Sequence, residues 1–236
     1  MQENQKYIGN ELEIFSHAKN WKNYWSGKIR PYLGKNVLEV GAGIGTNAIN
    51  FINNEHIEKW VCVEPDAELS HQIETNLKNE KGFNKVEIVS SFLSDYQTNV
   101  KFDSIMYIDV IEHIKEDKDE LITAISYLKD GGYLIVLVPA YNFLYNAFDK
   151  AIGHYRRYSR KLLRNTIPQG LKVISHYNLD SLGLLASVTN KLFLKQSYPT
   201  VRQIKFWDSV IVSVSRVIDP LLFYKAGKSS LIICKK

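Results

Sequence analysis

Gly41, Gly43 and Gly45 stand at alternate positions directly after the apolar run Val37-Leu38-Glu39-Val40, with Glu39 two residues ahead of the first glycine. Glycines at that spacing let the main chain turn sharply, and they let a ligand reach backbone N–H groups without meeting a Cβ. A loop that cradles a dinucleotide pyrophosphate has the form G-x-G-x-x-G. Here Thr46 holds the place of the third glycine, and the Glu39 carboxylate would repel a pyrophosphate, so a nicotinamide oxidoreductase is disfavoured. A carboxylate at Glu39 suits an ammonium group instead, held directly or through water. A second acid, Glu64, closes the next apolar run, Trp60-Val61-Cys62-Val63, nineteen positions after Gly45.

Two further stretches carry groups able to move protons or hold anions. Glu112 and His113 lie in Val110-Ile111-Glu112-His113-Ile114, directly after Asp109. His154, Tyr155, Arg156 and Arg157 lie in the run from Asp149 to Lys161. Adjacent arginines can grip a phosphate or carboxylate in forked geometry, and an imidazole titrates near neutral pH. Ser159 reads more simply as the cap of a helix running to Ile167.

Glu39-x-Gly41-x-Gly43-x-Gly45 resembles the first motif of the class I S-adenosylmethionine-dependent methyltransferases, E/D-x-G-x-G-x-G. The resemblance implies S-adenosyl-L-methionine as cofactor, seated by Glu39, Gly41, Ala42, Gly43 and Gly45. It makes Glu64, followed by Pro65, the acid that holds the ribose hydroxyls. In that family an acid near the end of the third strand commonly faces the adenine. This chain has Ser91-Phe92-Leu93 there, so Phe92 is expected to cover the ring while backbone groups read its edge. Ile108 and Asp109 would end the fourth strand beside the reactive methyl. The run after them resembles the ubiquinone-biosynthesis-like branch, and Gly153-His154-Tyr155-Arg156-Arg157-Tyr158-Ser159 resembles a loop in a bacterial subset of the family. On this footing His154 and His113 are the candidate bases and Tyr155, Arg156 and Arg157 the candidate substrate contacts.

These residues need a scaffold, and hydrophobic patterning supplies one. Strands are expected at Asn36–Val40, Trp60–Val63, Val86–Val89, Phe102–Asp109, Tyr133–Val138, Leu171–Tyr177 and Ser229–Cys234, with helices between the first five. A helix is expected over Thr46–Asn53, another opening at Pro65-Asp66, and another from Asp117 to Leu128 stopped by the glycines at 131 and 132. Strand and helix alternate, so the expected architecture is α/β. It is a doubly wound, mostly parallel seven-stranded Rossmann-like sheet with helices on both faces. The resemblance makes the last two strands a hairpin with the seventh antiparallel. About fifty residues separate them, far more than a hairpin turn needs, so a helical cap is expected before the last strand. Aromatic-spaced helices over residues 11–33, broken near Gly27 and Pro31, would form a lid.

Residues 1–236 are expected to form one domain: a lid over 1–34, a cofactor-binding core over 35–139, and a substrate-facing loop, last two strands and cap over 140–236. The polar amino terminus has no signal-like apolar core and no apolar run is long enough to span a bilayer, which suggests a cytoplasmic location. Cys62 and Cys234 sit in apolar runs, as buried thiols do. The six histidines show no metal-ligand spacing, so no metal is expected. Charge is uneven: residues 1–150 carry 15 Lys and Arg against 22 Asp and Glu, whereas residues 151–236 carry 15 against 3. That bias fits an anionic substrate or peripheral contact with an anionic membrane. Leu182, Leu184, Leu185, Leu192, Phe193 and Leu194, flanked by Lys191 and Lys195, would form a basic amphipathic surface for a lipid-linked substrate or a homodimer partner.

The expected reaction is methyl transfer to a small-molecule, saccharide or lipid-linked acceptor, at oxygen. A nucleic-acid methyltransferase is the alternative raised by the basic third. It is weakened because Asp109-Val110-Ile111-Glu112 stands where an Asn/Asp-Pro-Pro-Tyr/Phe motif would be. A protein that binds the cofactor for regulation, without turnover, is the other.

Overall fold

Four parallel pairings and one reversed strand build the sheet in this computed structural model, which describes residues 11–194, 196 and 198–236. The first ten residues of the expected lid, and Lys195 of the expected cap, lie outside the described residues. Two short helices lead, α1 (Glu11–Ser16) and α2 (Lys19–Ile29). The strands are β1 (Asn36–Val40), β2 (Lys59–Val63), β3 (Val86–Val89), β4 (Phe102–Ile108), β5 (Leu128–Pro139), β6 (Lys172–Leu179) and β7 (Ser229–Lys235). Their order across the sheet is β3-β2-β1-β4-β5-β7-β6, with β7 antiparallel to both neighbours. The order reverses between β1 and β4, and a doubly wound sheet places its ligands at such a switch point.

Strand alternation divides the core in two. Val37, Trp60, Cys62, Met106, Ile135 and Ile233 face the side covered by α2 and by α3 (Ala67–Leu77). Leu38, Val61, Ile105, Tyr107, Val136 and Cys234 face the side covered by α4 (Asp117–Ser126) and, beyond the short α5 (Ala147–Ala151), by α6 (Arg160–Thr166). Phe51 stacks on Trp60 with ring centroids 5.5 Å apart, a contact worth about 1 kcal/mol beyond the area it buries. Both cysteines are free and buried, as their apolar surroundings imply.

Four local expectations are corrected. After the glycine loop no α-helix forms, only a 3-10 turn over Ala48–Asn50. Asn47, Asn50, Asn53 and Asn54 are poor helix formers, and Lys85 Nζ takes the Ile52 and Asn54 carbonyls from outside the segment. Pro65 lies before the helix rather than in its first turn, because Asp66 is the N-cap of α3 and accepts from the amides of Glu68 and Leu69. Gly27 is interior to α2, and the break falls earlier, at His17-Ala18. The glycines at 131 and 132 do not stop a helix. Helix α4 ends at Ser126, and Leu128 already pairs with Phe102, so the glycines form a bulge within β5. Gly131 takes φ of 79° there and donates to the Lys236 carbonyl.

The expected cap is present between β6 and β7. It begins with α7 (Ser181–Thr189), which runs into a π-helical segment at Asn190–Leu194. A second run joins α8 (Val201–Phe206), a π-helical segment at Trp207–Val212 and α9 (Ser213–Leu221). Three buried aspartates tie it down. Asp180 caps α7 through the Gly183 amide and also accepts from Trp207 Nε1 and Ser215 Oγ. Asp208 accepts from the amides of Asn20 and Trp21, capping α2 from across the molecule. Asp219 accepts from the amides of Asp180 and Ser181 and from the Tyr24 hydroxyl.

Candidate active site

A cavity of about 1880 Å³ opens at the carboxyl ends of β1, β2, β4 and β5. Helices α1 and α2 wall one side through Leu12, Phe15, Trp21, Lys22 and Trp25, and the cap roofs it through Lys191, Tyr198, Arg202 and Phe206. Trp21 and Trp25 belong to the core as well, so they serve both packing and cavity wall.

Backbone conformation sets the glycine end. Gly41, Gly43 and Gly45 all take positive φ, at 68°, 57° and 78°. A Cβ on Gly41 would lie 2.7 Å from the Val110 methyls and one on Gly45 2.9 Å from Ile73 Cγ2, so those two glycines are needed for packing too. Gly43 has only the Leu12 methyls near its missing Cβ, at 3.4 Å, and its amide donates to Glu64 Oε2 at 2.8 Å. The Asp66 amide donates to Glu64 Oε1 at 3.1 Å. Each Glu64 oxygen thus keeps a lone pair free toward the cavity, enough to receive two hydroxyls. Burial pushes Glu64 up to about 7.

Gly41, Ala42, Gly43, Glu64, Pro65, Ser91, Phe92, Leu93, Ile108 and Asp109 all line the cavity. Glu39 and Gly45 do not line it, which corrects the expectation for both. Glu39 shares the sheet face of Trp60 and Cys62, so its carboxylate turns beneath the loop. There it accepts from Asn47 Nδ2 at 3.0 Å and Trp60 Nε1 at 2.9 Å. Burial pushes it up to about 7, against the opposing pull of those hydrogen bonds and of Lys22. Its geometry braces the loop rather than facing a ligand. Ser91 Oγ is buried and has no hydrogen-bond partner, leaving one polar group open where the family commonly has an acid.

At the other end of the cavity the histidines meet. His113 and His154 contact edge to face with centroids 4.5 Å apart. His154 Nδ1 lies 2.9 Å from Asp149 Oδ1, and Asp149 also accepts from Arg157 Nε at 2.8 Å. Burial alone would raise Asp149, but the bonds from His154 and Arg157 outweigh it and hold the carboxyl below its usual range. Burial, reinforced by His154, pushes His113 down to about 3, so it is neutral at physiological pH. Glu112 is wholly buried and neither carboxyl oxygen has a hydrogen-bond partner; one lies 3.9 Å from His154 Nε2. Burial, then the nearby Asp109 charge, pushes Glu112 well above the ordinary carboxyl range. Asp109 takes φ of 55°, and its carboxyl opens into the cavity while protein encloses it otherwise, which raises it to about 7.

One donor atom each from Glu112, His113 and His154 fall within 4.8 Å of one another, a spacing that would also admit a metal ion. Linear spacing gave no hint of this set, because the loop after β5 folds back over the end of β4. Among the substrate candidates, Tyr155 and Arg157 line the cavity, although Arg157 also braces Asp149. Arg156 does not line it, a correction: its guanidinium is spent on Asp117 at 2.6 Å and on the Lys115 carbonyl. Three lining groups had no signal of their own in the sequence: Asn47, Asp149 and Lys228. Lys228 lies just before β7 with its ammonium 4.7 Å from the Trp207 ring centre, and burial lowers its pKa.

A family profile described as "Methyltransferase domain" matches residues 17–190. The chain belongs to that family, and its fold is that of the class I S-adenosylmethionine-dependent methyltransferases. A (S)-coclaurine N-methyltransferase from Papaver somniferum is 30% identical over 103 residues, which is 44% of this chain and 29% of the poppy enzyme. The chain therefore corresponds to less than a third of that relative's length. A crystal structure of coclaurine N-methyltransferase bound to N-methylheliamine and SAH superposes with a TM-score of 0.62 at 14% identity, covering 93% of this chain and 70% of that one. The cyclase SpnF superposes equally well, with a TM-score of 0.62 at 12% identity over 92% of this chain and 80% of its own. These likenesses define the fold; the chemistry has to be read from the site.

Proposed function

We propose that the chain transfers a methyl group from S-adenosylmethionine to a small-molecule acceptor, and that the attacking atom is an amine nitrogen. The observation that carries the choice of atom is Glu112, a buried carboxyl with two unpartnered oxygens facing the same cavity as the glycine loop. The sulfonium of the cofactor is already an activated methyl donor, so the chain's own task is to hold a nucleophile in line and remove its proton. An ammonium must shed one proton before it can attack, and a carboxyl raised by burial is a matched acceptor. A hydroxyl, the acceptor expected from sequence, is a far weaker acid and asks for a stronger base. The poppy relative's name, an N-methyltransferase, supports the same choice.

In this reading Glu64 receives the ribose hydroxyls, the amides around Gly43 pass beneath the nucleoside, and Ser91 with Phe92 meets the adenine. Glu112 takes the amine proton and His154 receives it in turn, its ring fixed by Asp149 as a positioning residue. Neutral His113 completes the wall, and Tyr155 and Arg157 border the acceptor. The roof formed by the cap suits a small acceptor rather than a duplex nucleic acid.

The test is transfer of labelled methyl to a panel of primary and secondary amines and matched alcohols. Glu112→Gln is expected to lower kcat by about a hundredfold or more while leaving affinity for S-adenosylhomocysteine intact. Transfer to alcohols alone would remove the nitrogen assignment. Loss of activity in EDTA, restored by a divalent ion, would reassign Glu112 and the histidines from proton acceptors to metal ligands.

A further inference from the structure

We infer that the outward face of the helical run from Val201 to Leu221, with the Leu222-Phe223 tip, is a docking surface for an anionic lipid bilayer. Its inner positions, Ile204, Trp207, Asp208, Val212, Ser215 and Asp219, are buried. Its outer positions should therefore be polar. Instead they carry Phe206, Val210, Val214, Val217 and Leu221 at successive turns, and Val217 and Leu221 are 68% and 74% exposed. Phe223 follows at 78% exposure, held outward by a φ of 52°. Of the seventeen exposed large hydrophobic side chains among the described residues, twelve fall between Leu185 and Phe223, a concentration beyond the scatter of an ordinary surface.

Charge selects the occupant. All three acids of residues 151–236, Asp180, Asp208 and Asp219, are buried and spend their oxygens capping helices. The exposed charges along this run are all cationic: Arg202, Lys205 and Arg216, with Lys225 just beyond the tip. Arg202, Lys205 and Arg216 flank the apolar ridge on one side, with Ser209 and Ser213 between them. An apolar ridge edged by cations lies in the headgroup plane of an anionic membrane, where the ridge enters the acyl boundary and the cations meet lipid phosphates. A second copy related by a twofold axis would set these cations against themselves. Arg202 and Phe206 also line the cavity, so a bilayer on this face meets the cavity rim.

Sedimentation of the full chain with vesicles tests the inference, and it does not depend on methyl transfer. The chain is expected to pellet with mixed phosphatidylcholine and phosphatidylglycerol vesicles, less so at high salt, and to stay in solution with phosphatidylcholine alone. Val217→Asp with Leu221→Asp, and separately Lys205→Glu with Arg216→Glu, should each lower partitioning at least about tenfold. None of these four residues lines the cavity, so binding of S-adenosylhomocysteine should persist and certify the fold. No pelleting with anionic vesicles, or pelleting unchanged in both double variants, would overturn the inference. So would a dimer in analytical ultracentrifugation that the apolar variant splits, which would give the face to a second copy.

Discussion

Gly43 shows what a single position in the loop does for the site. Its φ of 57° belongs to the left-handed region, and the space where a side chain would begin holds only the Leu12 methyls, so the opening is kept for a ligand. Gly43→Arg is expected to fold and yet give no calorimetric signal with S-adenosylhomocysteine. Gly41→Ala and Gly45→Ala, whose new methyls would press on Val110 and Ile73, are expected to lose stability, read as a lower Tm. At the same scale Glu39 and Glu64 are both acids tied to an apolar run, but Glu39 lies inside its run and Glu64 just after its own, and only Glu64 meets the cavity. Within β1 the Glu39 carboxylate meets Trp60 and Asn47 across the sheet face, whereas Glu64 comes after β2 has ended and takes its amides from Gly43 and Asp66 at the cavity edge.

The elements that matter most to the site are the ones local signals describe least. Helix α2 has no capping side chain of its own; Asp208, far along the chain, provides one. Asp219 joins α2 to the start of α7 by accepting from Tyr24, Asp180 and Ser181 at once. Asp219→Ala would leave three buried donors unpaired, each costing about 1–3 kcal/mol, so a loss of about 3 kcal/mol or more is expected in urea denaturation. Asp219→Asn, which keeps an acceptor, should lose clearly less. Because these bonds hold α2 and the cap against each other beside the cavity, ligand affinity is expected to fall with stability in this pair.

For the whole molecule, the clustering of buried acids around one cavity has a consequence in pH. Glu39 is held at about 7 in the fold against 4.5 ordinarily, so the folded state keeps a proton that the unfolded chain has already released. Its contribution is fully present below pH 4.5 and is lost as pH rises toward about 7, a change of about 3 kcal/mol. Glu64 and Asp109 act in the same direction. His113 and His176, pushed down to about 3 and about 4 by burial, act in the opposite one. The unfolding free energy of the wild-type chain minus that of Glu39→Gln isolates one group, and it should fall as pH rises from 5 to 8, the wild type losing stability relative to the variant. A difference that stays level would mean Glu39 is ionised throughout.

Residue order alone determined that this is an alternating α/β chain with a glycine loop after its first strand. It also determined that an acid follows the second strand and that an insertion precedes the last. Those features are local: a period of two or 3.6, a turn residue, a spacing. The family motif and the cavity-lining residues after β2 and β3 were legible for the same reason. Tertiary structure decided what depends on direction and on distant partners. It turned Glu39 under the loop and Glu64 toward the cavity, spent Arg156 on Asp117, and brought His154 and Asp149 against Glu112 and His113. It also took every acid out of the cap's surface, because a buried helix start must find an acceptor and the nearest in space need not be near in sequence.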